Sequence, residues 1–81
     1  MPVVLRYKGY KFFFFSNEGT PREPRHIHVR KGESIAKCCL EPEIKLADSF
    51  GFNSSELKEI FNVVIENKEL IERKWYEYFG E

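Results

Sequence analysis

The sequence is poor in most residues that announce a chemistry. Two histidines, two cysteines, one methionine and one tryptophan occur among its 81 residues. No apolar run approaches the ~20 residues of a membrane-spanning helix. The N-terminal stretch Met1-Pro2-Val3-Val4-Leu5-Arg6-Tyr7 has neither the basic lead-in nor the apolar length of a signal peptide. A cytoplasmic protein is therefore expected. Cys38 and Cys39 are adjacent, and a disulfide between sequence neighbours strains the intervening peptide. No second pair exists to complete a tetrahedral zinc site. The cysteines are expected to be small hydrophobes in a reducing compartment. Repeats, linkers and low-complexity segments are missing, and a chain of this length makes a single domain, 1–81. Net charge is zero, which is unusual for a dedicated nucleic-acid binder.

Aromatic residues and a segregated charge are what the chain does have. Eight Phe, four Tyr and one Trp are present, and each buried ring removes roughly 150–250 Å² from water. That matters in a domain so short that folding buries only about 60 % of the unfolded surface. Residues 1–31 carry seven Lys/Arg and two acids, a balance of +5, whereas residues 32–81 carry six and eleven, a balance of −5. Such a split suits either an anionic partner for the first half or two halves that face each other.

Alternation and turn chemistry predict the strands. Val3–Tyr7 and Tyr10–Ser16 are joined by the two-residue turn Lys8-Gly9. The run Phe12-Phe13-Phe14-Phe15 would bury both faces of a central strand. Two prolines and a glycine make residues 17–24 a loop. His26–Arg30 alternates as a third strand, with His26 and His28 on one polar, cationic side and Ile27 and Val29 on the other. After the Lys31-Gly32-Glu33 turn, Ser34–Leu40 is the fourth strand, with Ala36, Cys38 and Leu40 on one side. Residues 43–47 alternate as a short fifth strand, although Leu46, Ala47 and Phe50 also suit a helical turn.

The helix start is the clearest local signal. Asn53 and Glu56 form a capping box, with Phe52 and Leu57 as a hydrophobic staple. Leu57, Ile60, Phe61, Val64, Ile71, Trp75 and Phe79 then make one stripe at helical spacing. One helix of about 39 Å fits that phase. The polar Glu66-Asn67-Lys68 suggests a break at Asn67, and Gly80 ends the segment. The expected fold is α+β: an antiparallel sheet of four to five strands followed by a C-terminal helical segment, one long or two shorter helices, packed on one face. The packing residues would be Leu57, Phe61, Val64, Ile71, Trp75 and Phe79.

Candidate chemistry concentrates in Arg25-His26-Ile27-His28-Val29-Arg30-Lys31. Two histidines spaced i, i+2 on a strand can share a divalent metal, with Glu18 or Glu23 as a further ligand. They can equally act as general acid and base on a phosphodiester, with Arg25, Arg30 or Lys31 holding the charge, in a metal-independent ribonuclease. A structural role, as partly exposed strand residues bonded to the loop, is a third reading. The string His-Ile-His-Val looks like the opening of the histidine-triad nucleotide hydrolases. Their third histidine would fall at Arg30, so that reading is set aside. A helix-turn-helix over Leu46–Leu57 would present an acidic second helix, which DNA repels. Basic residues interleaved with Tyr7, Tyr10 and Phe side chains also suit RNA on a sheet face.

Several segments together resemble a small prokaryotic family, the domain of unknown function 4160. They are Met1-Pro2-Val3-Val4-Leu5-Arg6, Phe13–Glu18, His26-Ile27-His28-Val29, Ala36-Lys37 with Leu40-Glu41-Pro42, Gly51-Phe52, Glu56-Leu57, and Glu66-Asn67 leading to Trp75 and Tyr78-Phe79. Many members read Pro-Pro-His-Ile-His, where this chain has Pro24-Arg25-His26. The resemblance implies a stand-alone domain encoded beside another small protein, in a toxin–antitoxin-like two-gene arrangement. It places the functional surface around Ser16-Asn17-Glu18, Pro24 and His26-Ile27-His28, and carries over no catalytic residue. The expected function is a protein-interaction module of such a system. Its partner would be the small protein encoded nearby, with RNA or a second copy as further candidates, and no cofactor is predicted. The expected binding residues are Asn17, Glu18, Arg22, Arg25, His26, His28, Arg30 and Lys31.

Overall fold

The computed structural model describes residues 3–14 and 25–80. In chain order the elements are β1 (Val3–Tyr7), β2 (Tyr10–Phe13), β3 (His26–Lys31), β4 (Ser34–Cys39), β5 (Lys45–Phe50), α1 (Ser54–Glu66) and α2 (Lys68–Phe79). The strands form one antiparallel sheet whose spatial order, β1-β2-β3-β4-β5, is also the chain order.

The first hairpin turns on Lys8 and Gly9, both at positive φ, 46° and 87°. This is the left-handed pair that a two-residue hairpin turn demands. It sets Tyr7 opposite Tyr10 and Arg6 opposite Lys11. β2 is described as far as Phe13, and the Phe15 and Ser16 expected to extend it lie outside the described residues. β3 has neighbours on both sides, pairing Phe12 with Val29 and Ile27 with Cys38.

β5 settles the ambiguity near residue 45 in favour of a strand, but it runs two to three residues further along than expected. The cause is an irregularity in the ladder. Lys37 pairs with Asp48 and Cys38 with Leu46, so Ala47 is an extra residue with no partner opposite. One inserted residue shifts the faces of all that follow, and simple alternation cannot anticipate it. Gly51, at φ +88°, then turns the chain toward the helices. A Cβ there would lie 2.6 Å from Ser34 Oγ, so this corner is closed to larger residues.

α1 begins with the expected capping box: Glu56 N–H donates to Asn53 Oδ1 at 2.8 Å, and Asn53 N–H donates to Glu56 Oε1 at 2.9 Å. Asn67 divides the helical segment. Its side chain caps no N–H of α2; instead the amide donates backward to the Val63 carbonyl at 2.8 Å. The backbone bonds Asn67→Val63 and Ile71→Asn67 nevertheless continue the i→i−4 ladder. Phase therefore survives the break, and one apolar stripe serves two helices. A straight helix over the same residues would measure about 39 Å, longer than the molecule's greatest dimension of 33 Å.

Both helices pack on the same sheet face. Ile60, Val63, Val64, Ile71 and Trp75 meet Tyr10, Phe12, Phe14, Ile27, Val29, Cys38 and Leu40. Leu57 and Phe79 flank this cluster, as expected. Phe61, expected in the core, is only half-buried, and Val63 takes its place. Among the described residues no helix is long and apolar enough to cross a membrane.

Candidate functional site

β3 carries the two histidines on the face away from the helices, as its alternation requires. Ile27 and Val29 are fully buried on the helix side. The histidines are buried too, with His26 2 % and His28 8 % exposed, which corrects the expectation of an open polar surface. Aromatic packing accompanies that burial. His28 stacks on Phe13 at 5.8 Å, His26 stands edge-on to His28 at 5.2 Å, and the Trp75 ring lies 6.0 Å from His26. His28 also lines an open cleft of about 390 Å³ with Ile35, Ala36, Lys37, Asp48, Ser49 and Phe50.

Arg25 is not free to hold a substrate. Its Nη2 lies 2.8 Å from a Glu41 carboxylate oxygen and 3.9 Å from one of Glu72, and its Nη1 donates to the Tyr76 hydroxyl at 2.7 Å. Its carbonyl accepts from Leu40 N–H at 2.8 Å. Two carboxylates thus neutralise this cation. Arg25 joins the start of β3 to the β4–β5 connection and to α2.

Arg30 and Lys31, adjacent in sequence, separate onto opposite faces. Lys31 sits over the Tyr10 ring at 4.7 Å, on the helix side. There Tyr10 donates to Glu59 at 3.0 Å, and Lys8 pairs with the same carboxylate at 3.7 Å. The cationic first half and the acidic second half therefore do meet, at Lys8 with Glu59 and at Arg25 with Glu41 and Glu72. Burial, then the hydrogen bond to Glu59, pushes the Tyr10 hydroxyl up to about 12.

Arg30 faces the other way, into a row that the sequence reading missed. The ladders place Arg6 opposite Lys11, Lys11 opposite Arg30, Arg30 opposite Ile35, and Ile35 opposite Phe50. One line of side chains thus crosses all five strands, on the face the helices leave. One of its four pairings is legible in the sequence, because a two-residue turn at Lys8-Gly9 dictates the Arg6–Lys11 pair. The remainder needs the β2–β3 register, which no local signal supplies.

Among the described residues, those expected in the site do not share one surface. The histidines are buried together, Arg25 is a tether, and Arg30 and Lys31 are on different faces. Asn17, Glu18 and Arg22 lie outside the described residues, as does Glu23. No group of three or more His, Cys, Asp or Glu that could hold a metal occurs among the described residues. Both cysteines are free, Cys38 in the core and Cys39 half-buried.

No curated protein and no solved structure gives a significant match to this chain. A family model does: the one described as a domain of unknown function, DUF4160, matches residues 9–76. That span runs from the first turn to the last turns of α2 and takes in every contact described above for Arg25, His26 and His28. The chain belongs to the DUF4160 family.

Proposed function

We propose that this protein is an interaction module that completes its sheet with a strand from a second, different chain. One observation carries the reading: β5 is an edge strand exposed at all six positions, yet it displays Phe50 at 72 % and Leu46 at 39 % exposure. An unpaired strand edge is a ready template for a partner strand. The other edge, β1, is less available, because Val4 and Leu5 pack against the core.

The irregularity at Ala47 favours a different chain over a second copy. A bulge is one of the devices by which edge strands avoid pairing with themselves. A partner strand carrying an acid opposite Lys45 and a base opposite Asp48 would match the edge; an antiparallel second copy carries that pattern too, and the experiment below separates the two. The family resemblance supplies a source for it, the small protein encoded nearby in a two-gene, toxin–antitoxin-like arrangement in a prokaryotic cytoplasm. The ribonuclease reading has less support. It needs two imidazoles within hydrogen-bond reach of the substrate; His28 lines the cleft, but His26 is 2 % exposed and does not.

The test is a tagged pull-down from the source cells, with and without ribonuclease. It uses the wild-type chain, Leu46→Lys on β5 and Arg30→Glu on β3. The expected result is one stoichiometric small protein, retained by wild type and Arg30→Glu in the presence of ribonuclease and lost from Leu46→Lys. Recovery of the chain's own copy alone, or capture that Leu46→Lys leaves intact, would overturn the proposal.

A further inference from the structure

We infer that the sheet face away from the helices binds single-stranded nucleic acid, with phosphates along Arg6, Lys11 and Arg30 and a base on Phe50. The first support is the row itself. Three cations stand directly opposite one another on three neighbouring strands, all exposed. Among the described residues none of them is in an ion pair. Like charges directly opposite across strands destabilise a sheet. Here two successive ladders carry such a pair, with no acid on the row to relieve them. A polyanion lying across the strands would supply the missing charge.

The second support is the far end of the row. It passes Ile35 and ends at Phe50, the most exposed of the large hydrophobic side chains among the described residues. Beside that ring the face dips into the open cleft, with Lys37 and Asp48 on its walls. Proteins that hold single strands combine cations that track the backbone with aromatic rings on which bases stack. Lys37 can donate to the edge of a stacked base and Asp48 can accept from it. Five strands at about 4.8 Å spacing make the row roughly 19 Å long, room for a few extended nucleotides.

Zero net charge does not oppose this. By register the face also carries Lys37, opposite Asp48 on the neighbouring strand, and Lys45, opposite Cys39. Among the described residues its charges are thus Arg6, Lys11, Arg30, Lys37 and Lys45 against Asp48, while α1 carries Glu56, Glu59 and Glu66 against Lys58. The overall balance hides a cationic face and an acidic helix. The phosphate contacts do not depend on the partner strand, because the three cations lie on β1, β2 and β3, whereas Phe50 lies on the β5 edge itself.

Fluorescence anisotropy with end-labelled ten-nucleotide oligouridylate and oligothymidylate tests it on the full chain. Binding is expected for at least one of them, and their ratio shows whether RNA or DNA is preferred. Three phosphate contacts predict a log–log salt slope of about −2, and Lys11→Gln or Arg30→Gln should each reduce it by about 0.7. Phe50→Ala should weaken binding about fivefold or more. Lys11→Gln and Arg30→Gln should melt no lower than wild type, since each relieves like-charge repulsion, and Arg6→Gln, the third charge variant, provides an independent check. No binding at low salt, or a slope unchanged in all three variants, would overturn the inference. So would equal affinity for a duplex of the same length with no effect of Phe50→Ala, which would mark a general polyanion attractor. Competition by polyglutamate of equal charge would assign the face to an acidic protein instead.

Discussion

Arg25 and Tyr76 meet in two ways: the guanidinium donates to the phenol oxygen at 2.7 Å, and its central carbon lies 5.4 Å from the centre of the same ring. The residues are 51 apart in sequence, and the same guanidinium also reaches Glu41 and Glu72. Arg25→Met should cost about 1–3 kcal/mol, the scale of hydrogen bonds to charged groups. In so small a domain that is a fall of roughly 5–15 °C in Tm. Arg25→Lys should recover only part of it, because an ammonium cannot reproduce the planar fork. Neither change should alter the salt slope for oligonucleotides, since this cation is already neutralised.

Trp75 anchors α2. It is 3 % exposed, 4.2 Å from the Phe79 ring and edge-on to Phe14 at 5.2 Å. Removing a buried indole costs about 3–5 kcal/mol, against a typical total of about 5–15 kcal/mol. Trp75→Ala should therefore leave the domain unfolded or nearly so, by circular dichroism and thermal melting. An unchanged Tm would show that α2 is docked elsewhere.

Tyr10 predicts a loss of stability in alkali. Burial and the bond to Glu59 raise its hydroxyl to about 12, from an ordinary 10.0. Below pH 10 the folded and unfolded chains both keep the proton. Between about 10 and 12 the unfolded chain releases it and the folded chain does not, so stability falls as pH rises through that window. Denaturant midpoints measured across it should decline, and Tyr10→Phe should flatten the decline. Tyrosinate absorbance of the native protein should include a late-titrating component that Tyr10→Phe removes.

The cysteines should differ in reactivity. Burial, then the neighbouring Cys39, pushes the Cys38 thiol up to about 11. The thiolate is the nucleophile, so native protein should label at Cys39 and spare Cys38 until it unfolds. Mass spectrometry after a short pulse of a thiol reagent reads this directly. Equal labelling would mean that the core side of β4 opens readily.

Local chemistry was the legible part of this chain. Asn53 with Glu56, and Lys8 with Gly9, are short-range signals, and each yields the element it predicts. What escaped the sequence depends on register. Ala47 is extra only with respect to β4, and Arg30 joins Lys11 only once β2 and β3 are aligned. The histidine face was misjudged for a related reason. Alternation says which side a ring points to, but not what lies above it. Arg25 stands in the most suggestive stretch of the sequence, yet its partners Glu41, Glu72 and Tyr76 are 16 to 51 residues away in chain order.

The strands lie side by side in chain order and both helices come last, so the sheet can close its ladders without any contribution from its cover. A sheet formed ahead of α1 and α2 would leave Phe12, Ile27, Val29 and Leu40 with no helix to rest against. Its future interior would then be a sticky, open surface, and a chaperone that shields aromatic segments would find its substrate there.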